Sequence, residues 1–144
     1  MSEFKNDGLK VQEYVYDFSV DGGAAGAISL SSKAGARTLP DNAIVQSVVA
    51  FVEAAVVGTS STLSWGNTGN AAGYSGTAIA EATLVLDYIH NGATQGSALL
   101  WDDTNDHDTM FLANSANDRD FSVTIGTADL TAGKVKFFVT YLQG

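Results

Sequence analysis

The long apolar run of residues 44–57 constrains the fold more than any other stretch of the sequence. It is rich in Val, Ile and Phe, which favours an extended strand over the competing helix. Both faces of such a strand are apolar, since Val48, Ala50, Val52 and Ala54 alternate with Val49, Phe51, Ala55 and Val57. A strand of this kind lies either at the centre of a packed sandwich or against a partner subunit. The run is interrupted by Glu53 and is too short to cross a bilayer.

Alternation of apolar and polar residues predicts shorter strands on both sides of this run. They are expected at residues 11–20, 27–30, 63–65, 109–113, 119–125 and 135–141. Turns rich in glycine or polar residues separate them and suit hairpins at residues 21–23, 58–59 and 130–133. Residues 66–76 are expected to form a loop, followed by one short helix near residues 75–82 with Ser75 as its N-cap.

These elements predict an all-β fold, in which two antiparallel sheets form a sandwich. The connections after Trp65 and Tyr88 are longer than hairpin loops, which favours a jelly-roll-like arrangement. At most one short helix is expected. The 144 residues suit a single domain with one core. We expect that domain to span residues 11–144 after a polar N-terminal arm of residues 1–10.

The composition of the chain argues against several classes of function. Sixteen acidic residues and seven basic ones give a formal net charge of −9, and the basic residues form no cluster along the chain. Nucleic acids and anionic membranes are bound through a concentrated basic face, so neither partner is expected. The chain has no cysteine, which excludes disulfides and thiolate chemistry. The N-terminal residues contain no apolar signal segment, and we expect a soluble protein made in the cytosol.

One motif approaches that of a serine nucleophile. Gly73-Tyr74-Ser75-Gly76-Thr77 is close to a nucleophile elbow, but threonine stands where the motif requires glycine, and no α/β context surrounds it. We interpret it as part of a loop. His90 is interpreted as a histidine at a loop end or at the edge of the core. No catalytic residue, enzymatic activity, cofactor or small-molecule substrate is predicted.

The run of residues 102–108 is the most acidic stretch and contains His107. Weak candidates for a calcium site in it are Asp102, Asp106 and Asp108. The glycine and the terminal glutamate of a calcium loop are missing, and His107 has no partnered nucleophile to activate. We therefore favour a solvated acidic loop over a structural cation site or a catalytic base.

Several short segments together resemble small structural proteins of tailed bacteriophages. They are Tyr16-Asp17-Phe18 with Asp21-Gly22-Gly23, residues 39–45, Leu63-Ser64-Trp65-Gly66, Ala71-Ala72-Gly73-Tyr74, and the closing stretches 118–121 and 130–141. The resemblance extends from about residue 14 to the C-terminus. It implies a capsid decoration protein, also called a cement protein, which is a β-rich homotrimer on the outer shell of the phage head.

The same resemblance implies a partner and a location. The partner would be the major capsid protein, and the location would be the capsid surface of the virion, after synthesis in the host cytoplasm. Binding would bridge neighbouring capsid subunits and stabilise the assembled shell by mass action. Within this interpretation, the loop is expected to contact a subunit through Gly66, Asn67, Gly69, Asn70, Gly73 and Tyr74.

The alternative is a phage tail or fibre protein, or a receptor- or carbohydrate-binding β module. Such a module uses exposed aromatic side chains, for which Trp65, Tyr74 and Trp101 are the candidates. Trp65 belongs to an inward-pointing alternation, so core packing is favoured over ligand binding at that position.

Overall fold

The computed structural model describes residues 9–91, 111–113 and 115–143. Within these residues the chain forms nine β-strands, two four-residue helices and one 3₁₀ turn. In chain order they are β1 (Leu9–Asp17), α1 (Phe18–Asp21), β2 (Gly26–Ser29), β3 (Ala43–Gly58), β4 (Thr62–Gly66), β5 (Ile79–Ala80), the 3₁₀ turn (Glu81–Thr83), β6 (Ile89–Asn91), β7 (Phe111–Ala113), α2 (Ala116–Arg119), β8 (Ser122–Gly126) and β9 (Leu130–Gln143).

The strands pair into two antiparallel sheets. Sheet one has five strands: β1, β9, β3 and β6 are neighbours in that order, and β7 also pairs with β3. Sheet two has four strands in the order β2, β8, β4 and β5. Side chains from the inner faces of both sheets fill one core, because alternate residues of each strand point inward. The predicted all-β, two-sheet antiparallel sandwich is confirmed.

Strand β3 extends the predicted long strand by one residue at each end and lies inside sheet one. Its inner face is buried through Val45, Val48, Ala50, Val52 and Val56. A shift of register between Val52 and Ala54 turns Ala54 outward, so its predicted place on this face is wrong. On the opposite face Phe51 is half-buried and Val57 is exposed. The sandwich therefore buries one apolar face of β3 and leaves the other at the surface.

Three connections predicted as hairpins instead carry the chain from one sheet to the other. The pairs β1 and β2, β3 and β4, and β8 and β9 each belong to different sheets. The three connections meet at Asp129, whose Oδ1 accepts from Ala25 N at 2.9 Å and whose carbonyl oxygen accepts from Ser61 Oγ at 3.0 Å. Beside it, Leu130 N donates to Gly23 O at 2.7 Å. The hairpin predictions were wrong because alternation determines which residues point inward but does not specify the neighbouring strand.

The short helices differ from the prediction in number and in place, since α1 and α2 both form although at most one helix was expected. Strand β1 ends at Asp17, whose side chain accepts from Ser19 N at 3.0 Å and caps α1. As a result Val20, which alternation places at the end of the strand predicted over residues 11–20, is exposed. Residues 75–82, predicted as the single helix, contain β5 and the start of the 3₁₀ turn, and the Ser75 hydroxyl donates to Thr77 O at 2.8 Å instead of capping a helix. Helices in the described part of the chain have at most four residues, far below membrane-spanning length.

Aromatic rings join the two sheets in the core. Phe121 stacks on Tyr14 of β1, with ring centroids 4.6 Å apart and planes 4° apart. It also stacks on Tyr74 of the loop 66–76, at 5.7 Å and 10°. Trp65 is fully buried beside Phe137, as the inward alternation predicts. Each such ring buries about 150–250 Å², so this aromatic column supplies a large part of the hydrophobic stabilisation.

Candidate functional site

The glycine- and asparagine-rich loop 66–76 joins β4 to β5 and is folded around Asn67. The Asn67 Oδ1 atom accepts hydrogen bonds from Gly69 N at 2.8 Å and from Asn70 N at 2.9 Å. The backbones of Asn67 and Asn70 exchange two further hydrogen bonds, at 3.0 and 3.2 Å. Tyr74 N donates to Trp65 O at 3.1 Å and closes the loop against β4. The loop is therefore an internally bonded unit.

Burial divides the six predicted interface residues into two groups. Those buried within the chain itself are Gly66, Asn67, Gly73 and Tyr74. Those at or near the surface are Gly69, which is exposed, and Asn70, which is half-buried, with exposed Thr68 and Ala71 beside them. The surface that this loop offers to a neighbour is its tip, residues 68–71. The interface assignment stays a prediction, and it now applies to the loop tip.

A groove of about 270 Å³ beside the loop tip is lined by hydroxyl groups and Asp120. Asp120 Oδ1 accepts hydrogen bonds from Ser29 Oγ at 2.5 Å and from Ser31 Oγ. Its Oδ2 accepts from Thr68 Oγ1 at 2.6 Å. Because hydroxyl donors occupy both oxygens, this carboxylate connects the loop tip to β2 and is not poised as a general base.

His90 of β6 is buried in the core against Trp65. The two rings meet edge to face, with centroids 5.1 Å apart and planes at 88°. Neither ring nitrogen has a hydrogen-bond partner of good geometry among the described residues. Burial lowers the pKa of His90 below its ordinary 6.5, and the nearby backbone of Ser75 opposes this shift. Because burial lowers its pKa, His90 is a neutral core residue at pH 7, and the described part of the chain contains no group of three His, Asp or Glu side chains that could hold a metal.

Acidification from about pH 7.5 to 5.5 is expected to destabilise the protein through His90. In the unfolded chain the pKa of His90 is its ordinary value of about 6.5, and in the folded protein it is lower. As the pH falls through this range, the unfolded state binds more protons than the folded state, so the free energy of unfolding decreases. His90→Phe keeps a ring against Trp65 and removes the titration. The urea midpoint of this variant should fall less between the two pH values than that of the wild type.

The control for this experiment is His107→Gln, which removes the other histidine of the chain. It should keep the pH dependence of the wild type. Equal loss of stability in the wild type and in His90→Phe would contradict the assignment of the effect to His90.

The outer face of sheet one carries an apolar patch, of which the sequence predicted only the part on β3. Val11 of β1 is 62% exposed and Ile89 of β6 is 61% exposed. The register places Val49 opposite Phe138, and Phe51 opposite Ile89. We call this surface the outer-face patch; its residues are Leu9, Val11, Val49, Phe51, Ile89 and Phe138. Leu9 fell within the predicted arm, so its continuation of the strand was not recognised.

Charged side chains border the outer-face patch and neutralise one another. Lys136 Nζ lies 2.9 Å from Glu53 and 3.7 Å from Glu13, and Lys134 Nζ lies 3.2 Å from Glu53. The hydrogen bond from Lys136 lowers the pKa of Glu53 below its ordinary value. Two lysines and two glutamates cancel in charge, although the whole chain carries −9. An apolar surface with a balanced charged rim is suited to contact with another protein.

The structure does not bring the other predicted site residues together. Trp65 and Tyr74, two of the three candidates for a carbohydrate platform, are buried in the core. The Ser75 hydroxyl is also buried and accepts from Trp65 N at 3.2 Å, so it is a structural group. The remaining candidates, Trp101, Asp102, Asp106, His107 and Asp108, lie outside the described residues.

Comparison with known proteins finds solved structures that share this fold. No protein-family model matches the sequence, and no curated protein matches it significantly. A chain of the cyanophage Pam1 capsid asymmetric unit matches with a TM-score of 0.61 and 16% identity, over 100% of this chain and 92% of that chain. This fold is one that bacteriophage capsids contain.

Two further capsid structures contain matching chains. One is the acid-stable capsid of the Helicobacter pylori bacteriophage KHP30, with a TM-score of 0.51, 18% identity, and coverage of 95% of this chain and 89% of that one. The other is the capsid of Ralstonia phage GP4, with a TM-score of 0.51, 16% identity, and coverage of 100% and 91%. Because about nine tenths of each matched chain is covered, these chains are similar in length to the present one.

Proposed function

We propose that this protein is a capsid decoration, or cement, protein of a tailed bacteriophage. One observation carries the proposal: at least 95% of the chain shares its fold with chains of similar length in three phage capsids. The short motifs that resemble small phage structural proteins are independent support. The role is that of a structural protein of the virion, bound to the outer surface of the head.

The outer-face patch is the surface we assign to the major capsid protein. It is apolar, it extends across β1, β9, β3 and β6, and it is bordered by charges that cancel. Burial of apolar area contributes about 25 cal/mol per Å² to binding before the costs of association. Contact through the loop tip and the predicted N-terminal arm would add to this surface.

Such a protein would act through binding free energy alone. A ligand that binds only the assembled shell stabilises that state by about 2.7 kcal/mol at a concentration of 100 times Kd. The role includes a homotrimer that bridges neighbouring capsid subunits. The net charge of −9 favours solubility of the free copies before assembly.

Substitution of Val11 by aspartate tests the outer-face patch in shell binding. Wild-type protein should bind expanded empty heads and raise their melting temperature. Val11→Asp places a charge in the apolar contact and should weaken binding at least tenfold, measured by co-sedimentation. Val20→Asp is the matched control, because Val20 is 70% exposed and lies on α1 outside the patch.

The outcomes of this experiment discriminate between functions. Equal binding of Val11→Asp and Val20→Asp would contradict the assigned surface. Failure of the wild type to bind any form of the head would contradict the decoration role. Binding of the wild type to isolated tails instead of heads would support the tail or fibre alternative.

A further inference from the structure

The basic residues of the described chain fall into two groups. Lys33 pairs with Asp21 at 2.9 Å, and Lys134 and Lys136 both pair with Glu53. The other three are Lys10, Arg37 and Arg119, and none of them forms an ion pair with a described residue. In a chain of net charge −9, three cations that form no ion pair among the described residues make a surface suited to an anionic partner.

These three cations line a single groove of about 440 Å³, which we call the basic groove. They come from β1, from the loop before Pro40 and from the end of α2. Pro40 and Tyr141 contribute apolar surface to the same groove. Arg119 Nε donates to Leu39 O at 2.8 Å, which orients the guanidinium and leaves its two terminal nitrogens for a ligand. The groove fits an apolar side chain beside a carboxylate.

A turn with this chemistry lies after the 3₁₀ turn. Val85 and Leu86 are among the exposed large apolar side chains, and exposed Asp87 follows them. Asp87 adopts a φ of 66°, and its N donates to Val52 O at 3.0 Å. The bend is thereby held in one shape, with two apolar side chains next to a carboxylate. We call residues 85–87 the acidic turn.

The basic groove lies at the start of β3, and the acidic turn lies beside the second half of the same strand. Gln143, which lines the groove, pairs with Ala43 at the start of the strand, whereas the acidic turn is bonded to Val52. From Ala43 to Val52 the strand rises about 30 Å, at about 3.3 Å per residue. The two surfaces of one chain are too far apart to contact each other. The acidic turn can therefore bind only in the basic groove of another copy.

We propose that the acidic turn of one copy binds in the basic groove of a second copy. The two surfaces are different, so the contact is head to tail, and repetition of such a contact closes into a ring when the rotation allows it. The contact specifies how copies of the homotrimer would join, and to that extent it rests on the proposed function. Asp87 pairs with the cations, while Leu86 packs on the apolar wall of the groove.

Sedimentation velocity of the full chain, between about 1 and 500 µM, measures this contact. The wild type should self-associate as the concentration rises. The groove variant Lys10→Gln with Arg37→Gln and the turn variant Leu86→Ser with Asp87→Asn should each weaken association at least tenfold. Neither variant removes a hydrogen bond of the core, since Tyr14 donates to the backbone oxygen of Arg37, and asparagine tolerates the positive φ of Asp87.

Val20→Glu with Ala24→Glu is the matched control for charge. It lowers the net charge by two, as the groove variant does, at exposed positions that line neither surface. It should associate like the wild type. A control that loses association equally would show that net charge alone governs self-association, and it would overturn the proposed contact.

A mixture of the two variants distinguishes this contact from a symmetric one. The groove variant keeps an intact acidic turn and the turn variant keeps an intact groove, so an equal mixture should form a 1:1 heterodimer that does not grow further. A mixture without heterodimer, or a wild type that stays monomeric to 500 µM, would overturn the contact. A monomeric wild type that still binds heads would overturn the homotrimer but leave the decoration role standing, whereas an associating chain that binds no heads would contradict the decoration role alone.

Discussion

Replacement of Phe121 by alanine is expected to lower the free energy of unfolding by about 3–5 kcal/mol. The ring is buried and contacts three others: Tyr14 at 4.6 Å, Tyr74 at 5.7 Å and Phe137 at 5.2 Å between centroids. Its removal leaves a cavity where the two sheets and the loop 66–76 meet. Since domains of this kind are stable by about 5–15 kcal/mol, the variant loses a large fraction of its stability.

Urea unfolding followed by tryptophan fluorescence measures this effect. Phe138→Ala is the control, because Phe138 follows the core residue Phe137 in β9 but is half-buried on the outer face. It should lose less than half as much stability. If the two variants were equally destabilised, the aromatic column would not be the main tertiary link between the sheets.

Substitution of Gly66 by alanine is expected to destabilise the protein by about 3 kcal/mol or more, at the upper end of overpacking effects. An added Cβ at Gly66 would lie 2.0 Å from Asn70 O and 2.8 Å from Gly73 N, both of them backbone atoms. Neither atom can retreat alone, since Asn70 O accepts hydrogen bonds from Asn67 N and Gly73 N. The substitution therefore opens the whole loop.

Gly69→Ala is the matched control in the same loop. Its added Cβ would meet only Asn67 Oδ1, at 3.4 Å, so the melting temperature should stay close to that of the wild type. Similar melting temperatures for the two variants would contradict the packing argument. Normal folding of Gly69→Ala combined with weaker head binding would place the subunit contact at the loop tip.

The period-two pattern predicted the main strands and most of the core from sequence. Trp65 points inward as expected, Leu63 and Val123 of the predicted strands 63–65 and 119–125 are buried, and β3 occupies almost the expected residues. Side-chain direction in a strand is a local property, because successive residues point to opposite faces. The prediction failed where local conformation changed the period: the Asp17 cap ends β1 before Val20, and the register shift after Val52 turns Ala54 outward.

The loop 66–76 shows why an interface is harder to predict than a strand. Its glycines and asparagines indicated close packing, but the sequence does not say against which surface. Gly66 and Tyr74 satisfy much of that close packing within their own chain, and only the loop tip stays available. Composition predicts which residues form a turn, whereas the burial of those residues depends on which other parts of the chain pack against them.

Alternation and strand propensity act between near neighbours, so they predict the all-β class, the long strand β3 and most of the inward residues. Which strands share a sheet depends on long-range contacts instead, since three connections resembling hairpins cross between sheets at Asp129. The same is true of the basic groove. Lys10, Arg37 and Arg119 form no cluster along the chain, yet pairing between distant strands gathers them around one groove.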